Sequence, residues 1–154
     1  MNDQREAHDR RIVVGVDGSP HSKTALNWAM TQARLVGATV EAVSAWQDPA
    51  TVGYAFGGIP YMYEGDSIAT IAEKVLVETV AEAVGQQDHP VEVRTRVVQG
   101  HPAQVLLDTA IGADMLVVGS RGHGTFAGML LGSVSQHCVQ HAPCPVIVVP
   151  QQKP

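Results

Sequence analysis

Arg11-Ile-Val-Val-Gly-Val-Asp-Gly-Ser-Pro20 (RIVVGVDGSP) reads as a strand, a turn and the opening of a helix. The apolar run from Arg11 to Asp17 is closed by Gly18, and Ser19 and Pro20 supply an N-cap and a first helical residue. Ala25, Leu26, Trp28, Ala29, Ala33 and Val36 then keep helical spacing until Gly37 stops the helix. Ala38 to Trp46 (ATVEAVSAW) follows as a β-rich segment.

The same alternation continues to the end of the sequence. Ile68, Ile71, Ala72, Val75, Leu76, Val80 and Ala83 form a helical stripe, with Glu73, Lys74, Glu78 and Glu82 on the other face. Val91 to Val98 alternates as a strand with one wet face. Pro102 opens a short helix that Gly112 ends. Asp114 to Ser120 reads as a buried strand, Met129 to His141 as a helix, and Pro145 to Pro150 as a last strand. This β-α-β-α-β-α-β-α-β order predicts right-handed crossovers and one parallel sheet covered on both faces. Ligands of such sheets sit beyond the carboxyl ends of the strands. That directs attention to Asp17–Ser19, Trp46 onward, Gly100, and the segment from Gly119 to Gly132.

The 154 residues fit one domain, here placed at residues 11–150, which needs no disulfide or structural metal to fold. Residues 1–10 are polar and carry charges of both signs, which predicts a disordered tail rather than a signal peptide. No apolar run approaches the roughly 20 residues of a membrane span, so the expected location is cytoplasmic, with no membrane association. A net charge of −5 argues against nucleic acid as a partner. All 15 acidic residues lie between Asp3 and Asp114, whereas residues 115–154 carry no carboxylate, only Arg121 and Lys153. Such a stretch suits the reception of an anion; burial alone is the competing explanation. Residues 47–66 hold four glycines, two prolines and four of the five Tyr and Phe residues, which predicts a long flexible loop, either a lid or a surface segment.

Gly119-Ser-Arg-Gly122 and, after a further stretch, Gly132-Ser133-Val-Ser135 join a strand end to a helix start. Unpaired N–H groups and the positive end of the helix dipole meet there, which is the makeup of an anion site. Glycine allows close approach to phosphate oxygens, while Ser133, Ser135 and Arg121 add donors. A turn that merely caps the helix is the bland alternative. No lysine stands where a Walker A loop requires one. The Gly122-His-Gly124-Thr-Phe-Ala127 run imitates a dinucleotide fingerprint without the acid expected about 20 residues on.

Gly119-x2-Gly122-x9-Gly132-Ser133 resembles the nucleotide-binding signature of the universal stress protein family. Val14-Gly-Val-Asp17-Gly-Ser19 and HAPCPVIVV (His141 to Val149) also match, so the likeness covers about residues 10–150. The resemblance implies a five-stranded parallel sheet of order 3-2-1-4-5, Rossmann-like in the manner of the adenine nucleotide alpha-hydrolases, in a dimeric protein. It implies ATP as ligand, with Mg²⁺ or Mn²⁺ across the phosphates. It places Asp17, Gly15 and Val16 near adenine and ribose, and the main chain of Ala45 at the adenine edge. Gly119, Arg121 and Gly122 fall at the first phosphate turn, and Gly132, Ser133, Val134 and Ser135 at the helix start beyond it.

Independently of that likeness, Asp17 ends an apolar strand, where a carboxylate is costly unless used; capping of the turn at Gly18 is the other explanation. The wholly apolar run Val146 to Val149 lies at a sheet edge in the implied order, which predicts a two-fold homodimer through this strand. His137 and His141, with Cys138 and Cys144 nearby, have a spacing that suits zinc, but the cysteines read better as buried thiols. His21 and His101 flank helix starts and are expected in solvent. The expected function is an ATP-binding, nucleotide-dependent stress-response regulator in which binding outweighs turnover. The alternatives are slow ATP hydrolysis or self-phosphorylation at Ser133 or Ser135, and a cyclic AMP or AMP sensor on the same pocket.

Overall fold

In the computed structural model, which describes residues 9–48, 67–122 and 131–151, β1 (Arg11–Gly15) buries Ile12, Val13 and Val14 completely. A strand with no wet face is one covered from both sides. It is followed by α1 (Pro20–Val36), β2 (Thr39–Trp46), α2 (Ile68–Gly85), β3 (Val93–Gln99), α3 (Pro102–Thr109), β4 (Met115–Gly119), α4 (Ser133–His141) and β5 (Val146–Val149). The strands form one parallel sheet in the order β3-β2-β1-β4-β5. The single-domain α/β fold and its strand order are those expected.

Alternation along the strands divides the core in two. Ile12, Val14, Val40, Ala42 and Val117 pack with Leu26, Met30, Leu76 and Val80 of α1 and α2. Val13, Val43, Leu116 and Val118 pack with Val105, Leu106 and Cys138 of α3 and α4 on the opposite face. Each fully buried aliphatic residue of this kind contributes about 1.5–3 kcal/mol. The outer strand β3 exposes Arg94 and Arg96, as an alternating strand would, but Thr95 between them is exposed as well, so the strand has no strictly alternating wet face.

Three helices start on a capping side group. Ser19 Oγ accepts from the Ser22 N–H at 3.2 Å, and Ser67 Oγ from the Thr70 N–H at 3.2 Å. His101 Nδ1 accepts from the Ala103 N–H at 3.3 Å. Gly37 adopts φ 70°, the left-handed residue that ends α1. At the amino ends of the strands Arg11 binds Glu41 at 2.7 Å and the Thr109 and Ile111 carbonyls at 2.9 Å each, while its own N–H donates to Asp114 at 2.7 Å. Two carboxylates are thereby engaged at the end of the sheet away from the glycine-rich turn.

Several boundaries differ from the sequence reading. β1 stops at Gly15, so Asp17 is an exposed turn residue rather than the end of a buried strand. β3 starts at Val93, not Val91, and α4 starts at Ser133 with Gly132 as its N-cap, so the expected helix is shorter at Leu131 and Gly132; its expected first residue, Met129, lies with residues 123–130 outside the described residues. Val75 is 42% exposed although it belongs to the apolar stripe of α2. Arg10 is no part of a loose tail: its guanidinium donates to the Val36 carbonyl at 2.7 Å and its carbonyl accepts from the Thr39 N–H at 2.9 Å. Residues 1–8 and residues 49–66 of the aromatic loop lie outside the described residues. Among the described residues, no helix is long and apolar enough to cross a membrane.

Candidate functional site

The carboxyl ends of β1, β2 and β4 and the first turn of α4 surround a cavity of about 300 Å³. Gly15, Val16 and Asp17 follow β1 into it, Ala45 comes from β2, and Gly119, Arg121 and Gly122 follow β4. Gly132, Ser133, Val134 and Ser135 complete the wall at α4. Every residue that the family resemblance assigned to the nucleotide site therefore lines one space, whereas Gly100 and the His137, His141, Cys138 and Cys144 group do not. Val43, Val118, Ser22, Pro102 and Leu106 also line it. Val43 lies two residues before Ala45 and shares its strand face, a relation the sequence already contained. Pro102 and Leu106 carried no comparable signal, because nothing local says that α3 leans over β1 and β2.

The glycines have different reasons. A Cβ on Gly119 would stand 2.8 Å from the backbone carbonyl group of His21, so the first turn of α1 can pack there only against a residue that lacks a Cβ. A Cβ on Gly15 would meet Leu106 Cδ1 at 2.9 Å, which lets α3 close the apolar side. A Cβ on Gly122 would meet Asp17 Oδ2 at 2.7 Å. The carboxylate-free segment thus does not make a carboxylate-free site: the fold returns Asp17 to it from β1.

Asp17 itself is held by the turn. Its Oδ1 accepts from the Ser19 N–H at 2.9 Å, and its own N–H donates to Ser22 Oγ at 3.3 Å. Asp17 is thus exposed rather than desolvated, and its Oδ1 makes the bond expected of an acid capping the turn at Gly18, while Oδ2 faces Gly122 beside the cavity.

At α4 no side group of the described residues caps the helix. The first intrahelical bond runs from the Gln136 N–H to the Gly132 carbonyl at 3.0 Å. The N–H groups of Ser133, Val134 and Ser135 therefore have no carbonyl within the helix, and they stand where the dipole is positive. The Gly132 N–H is spent on the Ser120 carbonyl at 2.7 Å. Ser135 is buried, and its hydroxyl lies 3.1 Å from the Ser120 carbonyl and 3.0 Å from that of Gly132. Having one proton to donate, Ser135 gives it to the protein; the direct hydroxyl donor expected there falls to the exposed Ser133 alone.

His101 is exposed, as expected, but His21 is half-buried, with Nδ1 at 3.4 Å from Ser120 Oγ. Among the described residues no three His, Cys, Asp or Glu residues gather as a metal site. Cys138 is wholly buried, and burial, with Cys144 second, pushes its thiol from 9.0 up to about 11. Cys144 is half-buried rather than buried; burial raises its pKa, with Arg11 lowering and Asp114 raising it to a lesser degree.

Residues 9–150 match the Universal stress protein family. A universal stress protein of Mycolicibacterium smegmatis is 38% identical over 150 residues, 96% of this chain and 48% of the relative. One of Thermus aquaticus, described as lying in the QAH/OAS sulfhydrylase 3'region, is 35% identical over 144 residues, 91% of this chain and 98% of the relative. The chain thus spans about half the length of the Mycolicibacterium relative and nearly all of the Thermus one. A solved universal stress protein in complex with cAMP shares 28% identity at a TM-score of 0.65, covering 93% of this chain and 98% of its own. One from Archaeoglobus fulgidus in complex with dAMP, at 24% identity and a TM-score of 0.61, covers 91% and 97% and shares the fold. With its profile matched from end to end of the sheet and relatives above 30% identity, this chain belongs to the universal stress protein family.

Proposed function

We propose that the chain binds ATP in the cavity at the carboxyl ends of β1, β2 and β4 and acts as a nucleotide-dependent regulator. The observation that carries this reading is the first turn of α4, whose three amides without helical partners border a cavity with an apolar opposite side. A purine suits the side made by Val43, Val118, Pro102 and Leu106, and phosphates suit the amides of Ser133, Val134 and Ser135 together with Arg121. Mg²⁺ or Mn²⁺ would be bound through the phosphates, since Asp17 is the one carboxylate among the described lining residues and Mg²⁺ accepts a site of few protein ligands. Binding outweighs turnover: with Ser135 committed to backbone carbonyls, the described lining residues offer no hydroxyl paired with a base. A homodimer through β5, the last strand in the sheet order, belongs to the same reading.

A monophosphate sensor is the second reading, favoured by the cAMP complex of the 28% identical relative. Calorimetric titration with ATP, AMP and cyclic AMP separates the two. One ATP per chain, bound more tightly than AMP or cyclic AMP and more tightly with Mg²⁺ present, is the expected result. The reverse ranking moves the assignment to a monophosphate, and no binding of any of the three overturns it.

A further inference from the structure

While the first turn of α4 borders the cavity, its other end carries His137 and His141. Residues four apart stand one above the other on a helix face, and these two rings meet. Their centroids are 4.6 Å apart and their planes are tilted by 45°. Among the described residues both imidazoles are exposed, whereas Cys138 beside them turns into the core. His141 ends the helix, about 12 Å along its axis from Ser133.

Two imidazoles bound side by side to one divalent ion have a characteristic separation. With each nitrogen about 2.0–2.1 Å from the metal and each ring centre about 1.1 Å further back, the centres are about 4.5 Å apart at a right angle and about 5.2 Å apart at the tetrahedral angle. The 4.6 Å between His137 and His141 falls within that interval. Rotation of the two side chains therefore suffices to aim one nitrogen of each at a common point, with the backbone unmoved.

The setting favours a cation. The last helical bond runs from the Ala142 N–H to the Cys138 carbonyl at 2.9 Å. The carbonyls of Val139, Gln140 and His141 thus have no donor within the helix, and the dipole is negative at this end. Ser133–His141 contains no Lys or Arg to repel an ion, and no Asp or Glu of the kind that Mg²⁺ or Ca²⁺ requires.

We propose that His137 and His141 form a two-histidine site for a divalent transition metal of the imidazole-preferring class, such as Zn²⁺, Ni²⁺ or Cu²⁺. One nitrogen of each ring ligates the ion and water fills the remaining positions. With two protein ligands the site is open, unlike the four-ligand sites that hold a fold together. It is separate from the cation bound through phosphates and does not depend on the nucleotide.

Calorimetric titration of the full chain, without an added histidine tag, with Ni²⁺ tests this, together with nitrogen NMR of the histidine rings in the presence of Zn²⁺. One Ni²⁺ per chain is expected at the pair, with affinity falling about 10-fold or more in His137→Ala and in His141→Ala. His137→Gln and His141→Gln, which keep a polar side group of similar size, are expected to lose it equally. His89→Ala, at an exposed histidine outside the helices, is expected to leave it unchanged. Cu²⁺ should bind more tightly than Ni²⁺, and Mg²⁺ should not compete. Zn²⁺ should shift the ring nitrogens of both His137 and His141. Equal Ni²⁺ affinity in the parent and the His137→Ala/His141→Ala double variant, or Zn²⁺ shifts at one ring of the pair alone, overturns the site and leaves the two rings as a packing contact only.

Discussion

Gly122 stands so close to Asp17 that a Cβ there would lie 2.7 Å from the carboxylate Oδ2. The two residues are 105 positions apart in the sequence, and their approach brings the turn after β1 against the turn after β4. Oδ1 of the same carboxylate is anchored by the Ser19 N–H at 2.9 Å, so Asp17 cannot swing away without loosening the entry to α1.

Gly122→Ala is therefore expected to displace Asp17 at the mouth of the cavity with little effect on the core. ATP affinity should fall about 10-fold or more while the melting temperature moves by no more than a few degrees. Isothermal titration beside a thermal melt checks both. Equal ATP affinity in parent and variant would remove this turn from the binding site.

Gly119→Ala acts differently, since its Cβ meets backbone rather than a flexible side group, at 2.8 Å. Helix α1 must shift, at a cost of about 1–3 kcal/mol. Urea denaturation should show a lower midpoint, and ATP affinity should fall with it. A variant as stable as the parent would mean that α1 and the end of β4 can separate freely.

Ser19→Ala removes the acceptor of the Ser22 N–H at the start of α1. The expected loss is about 1 kcal/mol, and Ser19→Asp or Ser19→Asn should recover most of it. Matched denaturation curves of the three variants measure this directly.

Cys138 should resist thiol reagents in the native protein near neutral pH, because burial holds its pKa at about 11 against an ordinary 9.0. The sign of the linkage follows: the folded state keeps the proton more tightly, so the stabilisation is fully present below about pH 9 and is lost as pH rises toward 11. Cys138→Ala should flatten that part of the stability profile. Rapid modification of Cys138 at neutral pH, at the rate of the unfolded protein, would contradict its burial.

The alternation of strands and helices was legible because each element carries its own period and its own stops. Ser19-Pro20 opens α1 and Gly37 closes it by local chemistry alone. Boundaries were less legible where tertiary contacts decide them. Arg10 reads as tail until Val36 and Thr39 are brought beside it, and Asp17 reads as buried until β1 is seen to end at Gly15. Gly119, Arg121, Gly122 and Gly132 to Ser135 were legible as a candidate site because the groups suited to an anion there are backbone amides, which glycine and a helix start announce in the sequence. Pro102 and Leu106 were not, since a pocket wall built by packing leaves no local mark.

By itself, the sequence determined the parallel α/β architecture, the segments that meet at the carboxyl ends of the strands, and the family to which they point. Apolar periodicity, caps and glycine spacing are local, and a polypeptide of this length has few ways to bury such elements. Only the tertiary structure decided which donors remain available there among the described residues. Hydrogen bonds such as Ser120 to Val149 and Ser135 to Ser120 link residues far apart in the sequence, and whether a donor is spent depends on what the fold places beside it.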